Sequence, residues 1–188
     1  MKEQLNFILL NGTSGSGKST VARLLEKKLK RTAVLEIEDI RCLVSDFKQG
    51  ELDNLLAWKI IYRMCDEYFK NNVSVLLKQG VSDQNFVNWF LRLAKRHRCV
   101  IGFYHLQAPK DVILQRIAER KNAQRNILVK KIAKIDGVKK QKNWSKTNML
   151  KSIEAHEAIH FTNATTIDTS RLKPDEIAAF ILADMKID

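Results

Sequence analysis

The sequence predicts an α/β fold in which a five-stranded parallel sheet lies between two layers of helices and a helical lid covers one end. Two observations support this prediction. Five short apolar runs alternate with segments of helical periodicity, a pattern typical of repeated strand–helix–strand units. A glycine-rich stretch also follows the first apolar run and leads directly into an amphipathic segment, as in strand–loop–helix connections.

The five apolar runs are the predicted strands. Each is short and mostly apolar, as expected for strands that are buried inside a parallel sheet. The predicted strands are Phe7–Leu10, Ala33–Ile37, Val73–Leu77, Cys99–Leu106 and Thr165–Ile167.

Six helices are predicted between and after these strands. Apolar side chains recur in them at helical spacing. Pro109 and Pro174 stand in first helical turns, where the missing N–H of proline removes no hydrogen bond. The predicted helices are Lys18–Leu29, Leu52–Phe69, Asp83–Arg96, Pro109–Arg120, Met149–His160 and Pro174–Met185.

Length and composition indicate a single domain that spans residues 1–188. Of the 188 residues, 45% are hydrophobic, which suits one well-buried core and is too little chain for two ordinary domains. Cys42, Cys65 and Cys99 form no CxxC pair, so we expect neither a disulfide framework nor a thiolate metal site. The N-terminus enters strand pattern at once, and no apolar run approaches the length of a membrane span. We therefore expect a cytoplasmic protein.

Positive charge is concentrated in one segment of the chain. The net charge is +12, and residues 116–151 contain twelve Lys and Arg but only two acids, whereas residues 1–72 contain twelve against ten. A local excess of this kind suggests an anionic partner, although a charge run alone is more often a solvated helical face. We interpret residues 116–146 as a lid that closes over phosphates, and nucleic acid stays open as a second partner.

The most informative stretch is Gly12–Ser19, which reads GTSGSGKS and matches the P-loop pattern GxxxxGK[ST]. Backbone N–H groups of such a loop converge on phosphates, and the following helix directs its positive end at them. The pattern predicts binding of ATP with Mg²⁺: Lys18 should reach the β- and γ-phosphates, and Ser19 should ligate Mg²⁺. The predicted nucleotide-binding residues are Gly12, Thr13, Ser14, Gly15, Ser16, Gly17, Lys18, Ser19 and Thr20.

Acidic residues stand at the end of the second predicted strand. Glu36, Glu38 and Asp39 precede Arg41, and ligands of open α/β sheets bind at the carboxyl ends of strands. A carboxylate beside the γ-phosphate can orient and deprotonate an attacking hydroxyl, while Arg41 can bind a phosphate of substrate or product. Acids at this point can equally cap the next helix, so the residues alone leave both roles open.

The chain resembles the adenylate-kinase-like P-loop kinases, and within them the group that contains polynucleotide 5′-kinases and chloramphenicol phosphotransferase. The resemblance rests on Ile8–Ser19, Glu38–Arg41, Leu106–Arg120 and Ile167–Thr169. It implies a three-layer P-loop NTPase fold and an ATP-dependent kinase that transfers the γ-phosphate to a hydroxyl of a small molecule, a nucleotide or a polynucleotide. The alternative is an ATPase switch, or a nucleic-acid-binding ATPase without an acceptor.

The resemblance also implies roles for individual residues. Glu38 falls at the position of the base, which is usually an aspartate in the family, and Arg41 falls at a position that often binds substrate phosphate. Arg116 and Arg120 fall where lid arginines reach the nucleotide, and residues 164–169 would border the adenine.

Two features depart from the family pattern. The base position holds a glutamate, and the third predicted strand ends in Lys78–Gln79, where an acid often supports the metal. Asp39 is therefore a second candidate for the base, and Asp83 is a candidate for metal support.

Two other groups of residues invite a functional interpretation. The segment His156–His160 matches HExxH, a zinc-protease pattern, but catalytic zinc needs a third protein ligand and the candidates Asp168 and Glu176 belong to other predicted elements. We interpret this match as accidental. Three aromatic residues on predicted helices are interpreted as core, with an acceptor pocket as the alternative; they are Trp58, Tyr62 and Trp89.

Overall fold

The computed structural model describes residues 4–48, 50–120, 150–151, 153–156 and 160–187. Within this part of the chain, five parallel strands form one sheet in the order β2-β3-β1-β4-β5. The predicted parallel sheet is confirmed. The strands are β1 (Asn6–Asn11), β2 (Thr32–Leu35), β3 (Ser74–Lys78), β4 (Val100–Gln107) and β5 (Thr165–Asp168).

Helices connect the strands and cover both faces of the sheet. No helix of the described residues is long and apolar enough to cross a membrane. The helices are α1 (Lys18–Glu26), α2 (Ile37–Cys42), α3 (Glu51–Lys70), α4 (Gln84–Arg96), α5 (residues 110–120), α6 (residues 150–151 and 153–156) and α7 (Pro174–Asp184).

The sequence prediction was wrong about one element. The second strand ends at Leu35, and Ile37 begins the short helix α2, which the apolar pattern did not reveal. The predicted helix Met149–His160 is helical at its described residues between 150 and 156, whereas His160 is not helical. The predicted lid, residues 116–146, lies outside the described residues except for 116–120, which belong to α5.

The core consists of two layers, one on each face of the sheet. Successive side chains of a strand point to opposite faces. Phe7, Leu9 and Phe103 pack with α3 and α4 on one face, while Ile8, Leu10 and Tyr104 pack with α1 and α7 on the other. Because both faces are covered, the strands are apolar throughout.

The three aromatic residues of the predicted helices belong to the layer between α3 and α4. Trp58 is 9% exposed and lies in the core, and the half-buried Tyr62 and Trp89 pack against that core. The rings of Tyr62 and Trp89 stack with centroids 4.2 Å apart. The structure thus confirms the interpretation of these residues as core.

Candidate nucleotide-binding site

The site lies at the carboxyl ends of the strands, where the loop between β1 and α1 wraps around the end of the sheet. Gly12, Gly15 and Gly17 adopt positive φ angles of 141°, 88° and 97°, which favour glycine. A Cβ on Gly12 would lie only 2.3 Å from the carbonyl oxygen of Leu106, so a larger residue cannot fit there. Gly17 is the N-cap of α1 and makes no side-chain cap bond, so the helix N-terminus stays available to an anion.

Lys18 folds back onto the loop that precedes it. Its Nζ donates hydrogen bonds to the carbonyl oxygens of Gly12 and Thr13, at 2.6 and 2.9 Å. Burial lowers the pKa of Lys18 to about 8, while the carboxylates of Glu36 and Glu38 favour its charged form. The ammonium is therefore held at the mouth of the loop with two acids within electrostatic reach.

The donors around the loop suit a nucleotide phosphate and Mg²⁺. Ser16 is fully buried, and its Oγ has no hydrogen-bond partner among the described residues. Thr13 is buried, whereas Ser14, Ser19 and Thr20 are exposed. No group of three His, Cys, Asp or Glu in the described chain is arranged to hold a metal. The binding of Mg²⁺ by Ser19 stays a prediction.

Both predicted arginines of α5 lie beside the loop. Arg116 donates to the Oγ1 and carbonyl oxygen of Thr169 at 2.9 and 2.7 Å, and more weakly to the carbonyl oxygen of Gly15 at 3.5 Å. Arg120 donates to Ser14 Oγ at 3.0 Å. Arg116 thus joins the end of β5 to the loop, while the exposed Arg120 is free to turn towards a phosphate. Whether residues 164–169 border an adenine stays a prediction.

The predicted acids stand in the first turn of α2. Glu38 accepts a hydrogen bond from Arg41 Nη1 at 3.2 Å, and Arg41 Nη2 donates to Asn54 Oδ1 at 2.6 Å. The buried Nε of Arg41 has no partner among the described residues. Asp39 is exposed. Of the two candidate bases, Glu38 is therefore the one that stabilises the charged form of Lys18.

Glu36, which the sequence analysis grouped with Glu38 and Asp39, has a different partner. It directly follows β2, and its carboxylate forms a salt bridge with Lys78 at the end of β3. These residues meet because β2 and β3 pair in parallel with Leu35 opposite Leu77. The basic residue at the end of the third strand is thus balanced by an acid from the neighbouring strand.

Asp83 has a structural role. It is the N-cap of α4, and its Oδ1 accepts a hydrogen bond from the backbone N–H of Asn85 at 2.8 Å. This is the ordinary bond of a capping aspartate. Whether Asp83 also supports a metal stays a prediction.

Two buried amides fix the walls of the site, and sequence reasoning missed both. Asn11 exchanges two hydrogen bonds with the backbone of Val81, at 3.0 and 2.7 Å. Gln79 donates its backbone N–H to the carbonyl of Leu10 at 2.9 Å and accepts the N–H of Ile37 at 3.1 Å. These bonds join the ends of β1 and β3 to the start of α2. The only sequence signal was that Asn11 directly follows the first apolar run and that Gln79 stands two residues after the third.

The histidines of the HExxH match lie in different environments. His156 is 6% exposed and stacks on His105 of β4, with ring centroids 5.9 Å apart and planes at 16°. His160 is exposed, and Glu157 lies outside the described residues. The interpretation of this match as accidental with respect to zinc stays a prediction.

A parallel sheet whose first strand leads through a glycine-rich loop and a lysine into a helix defines the class of P-loop nucleotide-binding domains. The AAA domain family (AAA_33) matches residues 7–142, and the chain belongs to this family. No curated protein is a significant match to the chain.

Several solved structures share the fold. A tunicamycin resistance protein from Deinococcus radiodurans is 19% identical, with a TM-score of 0.64 and 98% of each chain covered. A sugar kinase from a Janibacter species is 17% identical (TM-score 0.62; 97% of this chain and 95% of that one). Shikimate kinase from Acinetobacter baumannii is 21% identical (TM-score 0.58; 98% and 94%). The resemblance to P-loop kinases is confirmed at the level of the fold. The names of these three proteins refer to different compounds.

Proposed function

We propose that this protein is an ATP-dependent kinase that transfers the γ-phosphate of ATP to a hydroxyl group of an acceptor. The observation that carries the proposal is the position of Lys18, at the mouth of the P-loop and within electrostatic reach of Glu36 and Glu38. A P-loop alone supports nucleotide binding. A carboxylate close to the lysine that meets the γ-phosphate adds the base that transfer to an alcohol uses. The kinase fold of the neighbours supports the same conclusion.

The binding roles follow from the described contacts. The loop N–H groups and the start of α1 would hold the β-phosphate, and Lys18 would exchange its loop carbonyls for β- and γ-phosphate oxygens. Arg120 would turn from Ser14 to the phosphates, while Arg116 keeps the end of β5 against the loop. When bound through Ser19, Mg²⁺ would neutralise charge on the phosphate oxygens.

In the transfer step, the acceptor oxygen forms a bond to the γ-phosphorus as the bond from that phosphorus to the β–γ bridging oxygen breaks. The bridging oxygen keeps the electron pair and leaves as part of ADP. The acceptor proton passes to Glu38, which its bond with Arg41 holds in position. Arg41 can contact a phosphate of acceptor or product through its unpaired Nε.

The test is Lys18→Ala, measured as acceptor-stimulated ADP release over a panel of sugars, nucleosides and oligonucleotide 5′ ends. We expect a loss of about 100-fold or more, because removal of one preorganised charge contact at a transferring phosphoryl group has effects of this size. Lys27→Ala is the matched control, since Lys27 is an exposed lysine directly after α1.

Two results would contradict the proposal. Near-normal transfer in a folded Lys18→Ala variant would remove the P-loop from the reaction. ATP consumption that no acceptor stimulates would favour the ATPase alternative.

A further inference from the structure

A pair of buried histidines beside the P-loop has no partner for most of its ring nitrogens. His105 is 2% exposed and His156 is 6% exposed. Among the described residues, Nδ1 of His156 has no hydrogen-bond partner, and the two nitrogens of His105 make no bond of good geometry, although the backbone of His156 lies close enough to His105 to favour its charged form. A buried polar group without a partner costs free energy, so such groups in native proteins call for a specific explanation.

The pair lies in a polar layer at the end of the sheet. Asn11 on β1 pairs in register with His105 on β4, and Gln79 follows β3 next to them. The side chains of Asn11 and Gln79 both hydrogen-bond to neighbouring backbone groups. The unpaired nitrogens of this layer therefore belong to the histidines, while the amides already serve the fold.

The ring of His156 reaches the start of the P-loop. Its Nε2 lies 3.6 Å from the position that a Cβ on Gly80 would take, and the same Cβ would lie 2.9 Å from the carbonyl oxygen of Gly12. That carbonyl also accepts the hydrogen bond of Lys18 Nζ. Burial is the main cause that lowers the pKa of both histidines to about 4, and the nearby charge of Lys18 lowers it further. His156 and Lys18 therefore both lie near the start of the P-loop, close enough for the charge of Lys18 to act on His156.

The end of a bound triphosphate is the group that would come into this space. Lys18 indicates where the terminal phosphate would lie, because the lysine of a P-loop contacts the β- and γ-phosphates. The imidazole of His156 is neutral near neutral pH, so one of its nitrogens carries the proton and the other is bare. No acceptor among the described residues meets Nδ1, so the proton can lie on Nε2, the nitrogen beside Gly80, and Nε2 can then donate. A phosphate oxygen accepts such a bond strongly because it is charged.

We propose that His156 donates a hydrogen bond from Nε2 to an oxygen of the terminal phosphate of a bound nucleoside triphosphate, with the stacked ring of His105 fixing its orientation. The proposal rests on the nucleotide site of the proposed function and adds a residue that distinguishes a triphosphate from a diphosphate. It also gives the first histidine of the HExxH match a role that involves no zinc.

The test compares the affinities of Mg·ADP and of the ATP analogue Mg·AMP-PNP by calorimetry in four proteins: wild type, His156→Leu, His156→Gln and His160→Leu. His156→Leu should weaken AMP-PNP about tenfold or more, which is the effect of losing a hydrogen bond to a charged group, and should leave ADP within about twofold. His156→Gln should recover most of the loss, since its amide can donate from a similar point. His160→Leu is the matched control at an exposed histidine and should bind both nucleotides as wild type does.

A second measurement needs no variant. The ¹⁵N chemical shifts of the His156 ring in the wild-type protein should change on addition of Mg·AMP-PNP and much less on addition of Mg·ADP, while those of His160 stay constant. The proposal is overturned if His156→Leu weakens both nucleotides equally or neither, or if the ring shifts do not distinguish them. Failure of the wild-type protein to bind either nucleotide would overturn the proposed function as well.

Discussion

Adjacent carboxylates at Glu38 and Asp39 receive different environments from a single turn of helix. Neighbouring residues on a helix point about 100° apart, so only one of the two can face the loop. Both acids are exposed, but Glu38 accepts a hydrogen bond from Arg41 and favours the charged form of Lys18. At the scale of the residue, the site therefore separates two acids that the sequence presents as equivalent.

Glu38→Gln should lower acceptor-dependent turnover by about 100-fold or more, because a general base contributes on this scale. Asp39→Asn should stay within about twofold of wild type, since a surface change away from such features has little effect. Both variants should bind ATP normally, which calorimetry can verify. Normal turnover in Glu38→Gln, together with an inactive Glu36→Gln, would instead assign the role of base to Glu36 at the end of β2.

At the scale of elements, β4 and α6 meet through the stacked rings of His105 and His156. Both rings are buried, and burial lowers the pKa of each from 6.5 to about 4. The unfolded chain therefore binds more protons than the folded protein between these two values. Folding stability should accordingly be complete above pH 6.5 and should decrease as the pH falls through this window.

His105→Phe should make this acid dependence shallower and should stabilise the protein by about 1 kcal/mol at neutral pH. The aromatic ring can keep the contact with His156 and Phe161, while two unpaired buried nitrogens are removed. Urea unfolding at several pH values between 4 and 7.5 measures both effects, with the exposed His160→Phe as control. An unchanged slope in His105→Phe would show that other groups cause the acid sensitivity.

At the scale of the whole molecule, the strand order β2-β3-β1-β4-β5 places the strand that carries the P-loop in the middle of the sheet. The loop therefore lies against residues from distant parts of the chain, Leu106 near the end of β4 and Gly80 after β3, and Arg116 joins it to Thr169 after β5. A ligand in the loop contacts the folded protein at a point where several elements meet. Its binding should therefore stabilise the whole described fold and not a single segment.

Mg·ATP at about 100 times its Kd should stabilise the protein by about 2.7 kcal/mol. For a chain of this size the gain corresponds to a rise of about 5 to 11 °C in Tm. Thermal unfolding followed by circular dichroism measures the shift. Lys18→Ala should abolish most of it at the same nucleotide concentration, and a shift of equal size in that variant would place the bound nucleotide elsewhere.

The sequence was sufficient for features that depend on local pattern. The P-loop and the parallel sheet were predicted because glycine spacing and apolar runs are local signals. Helix α2 was missed because its first residue, Ile37, is apolar and extends the preceding strand pattern. The salt bridge of Glu36 with Lys78 depends on which strands are neighbours, and the stack of His105 on His156 depends on how α6 meets β4. No spacing along the chain encodes either contact.

The fold of Lys18 onto the carbonyl oxygens of Gly12 and Thr13 makes the lysine an internal competitor of the nucleotide. Two hydrogen bonds within the protein must break before two can form with the phosphates. Nucleotide binding should therefore release less heat than it would if the lysine were exposed to solvent in the free protein. In return, the carbonyl oxygens of Gly12 and Thr13 have a hydrogen-bond donor when no ligand is bound, and the ammonium is already immobilised when the ligand arrives. Lys18 thus preserves the shape of the loop after one nucleotide has left and before the next one binds.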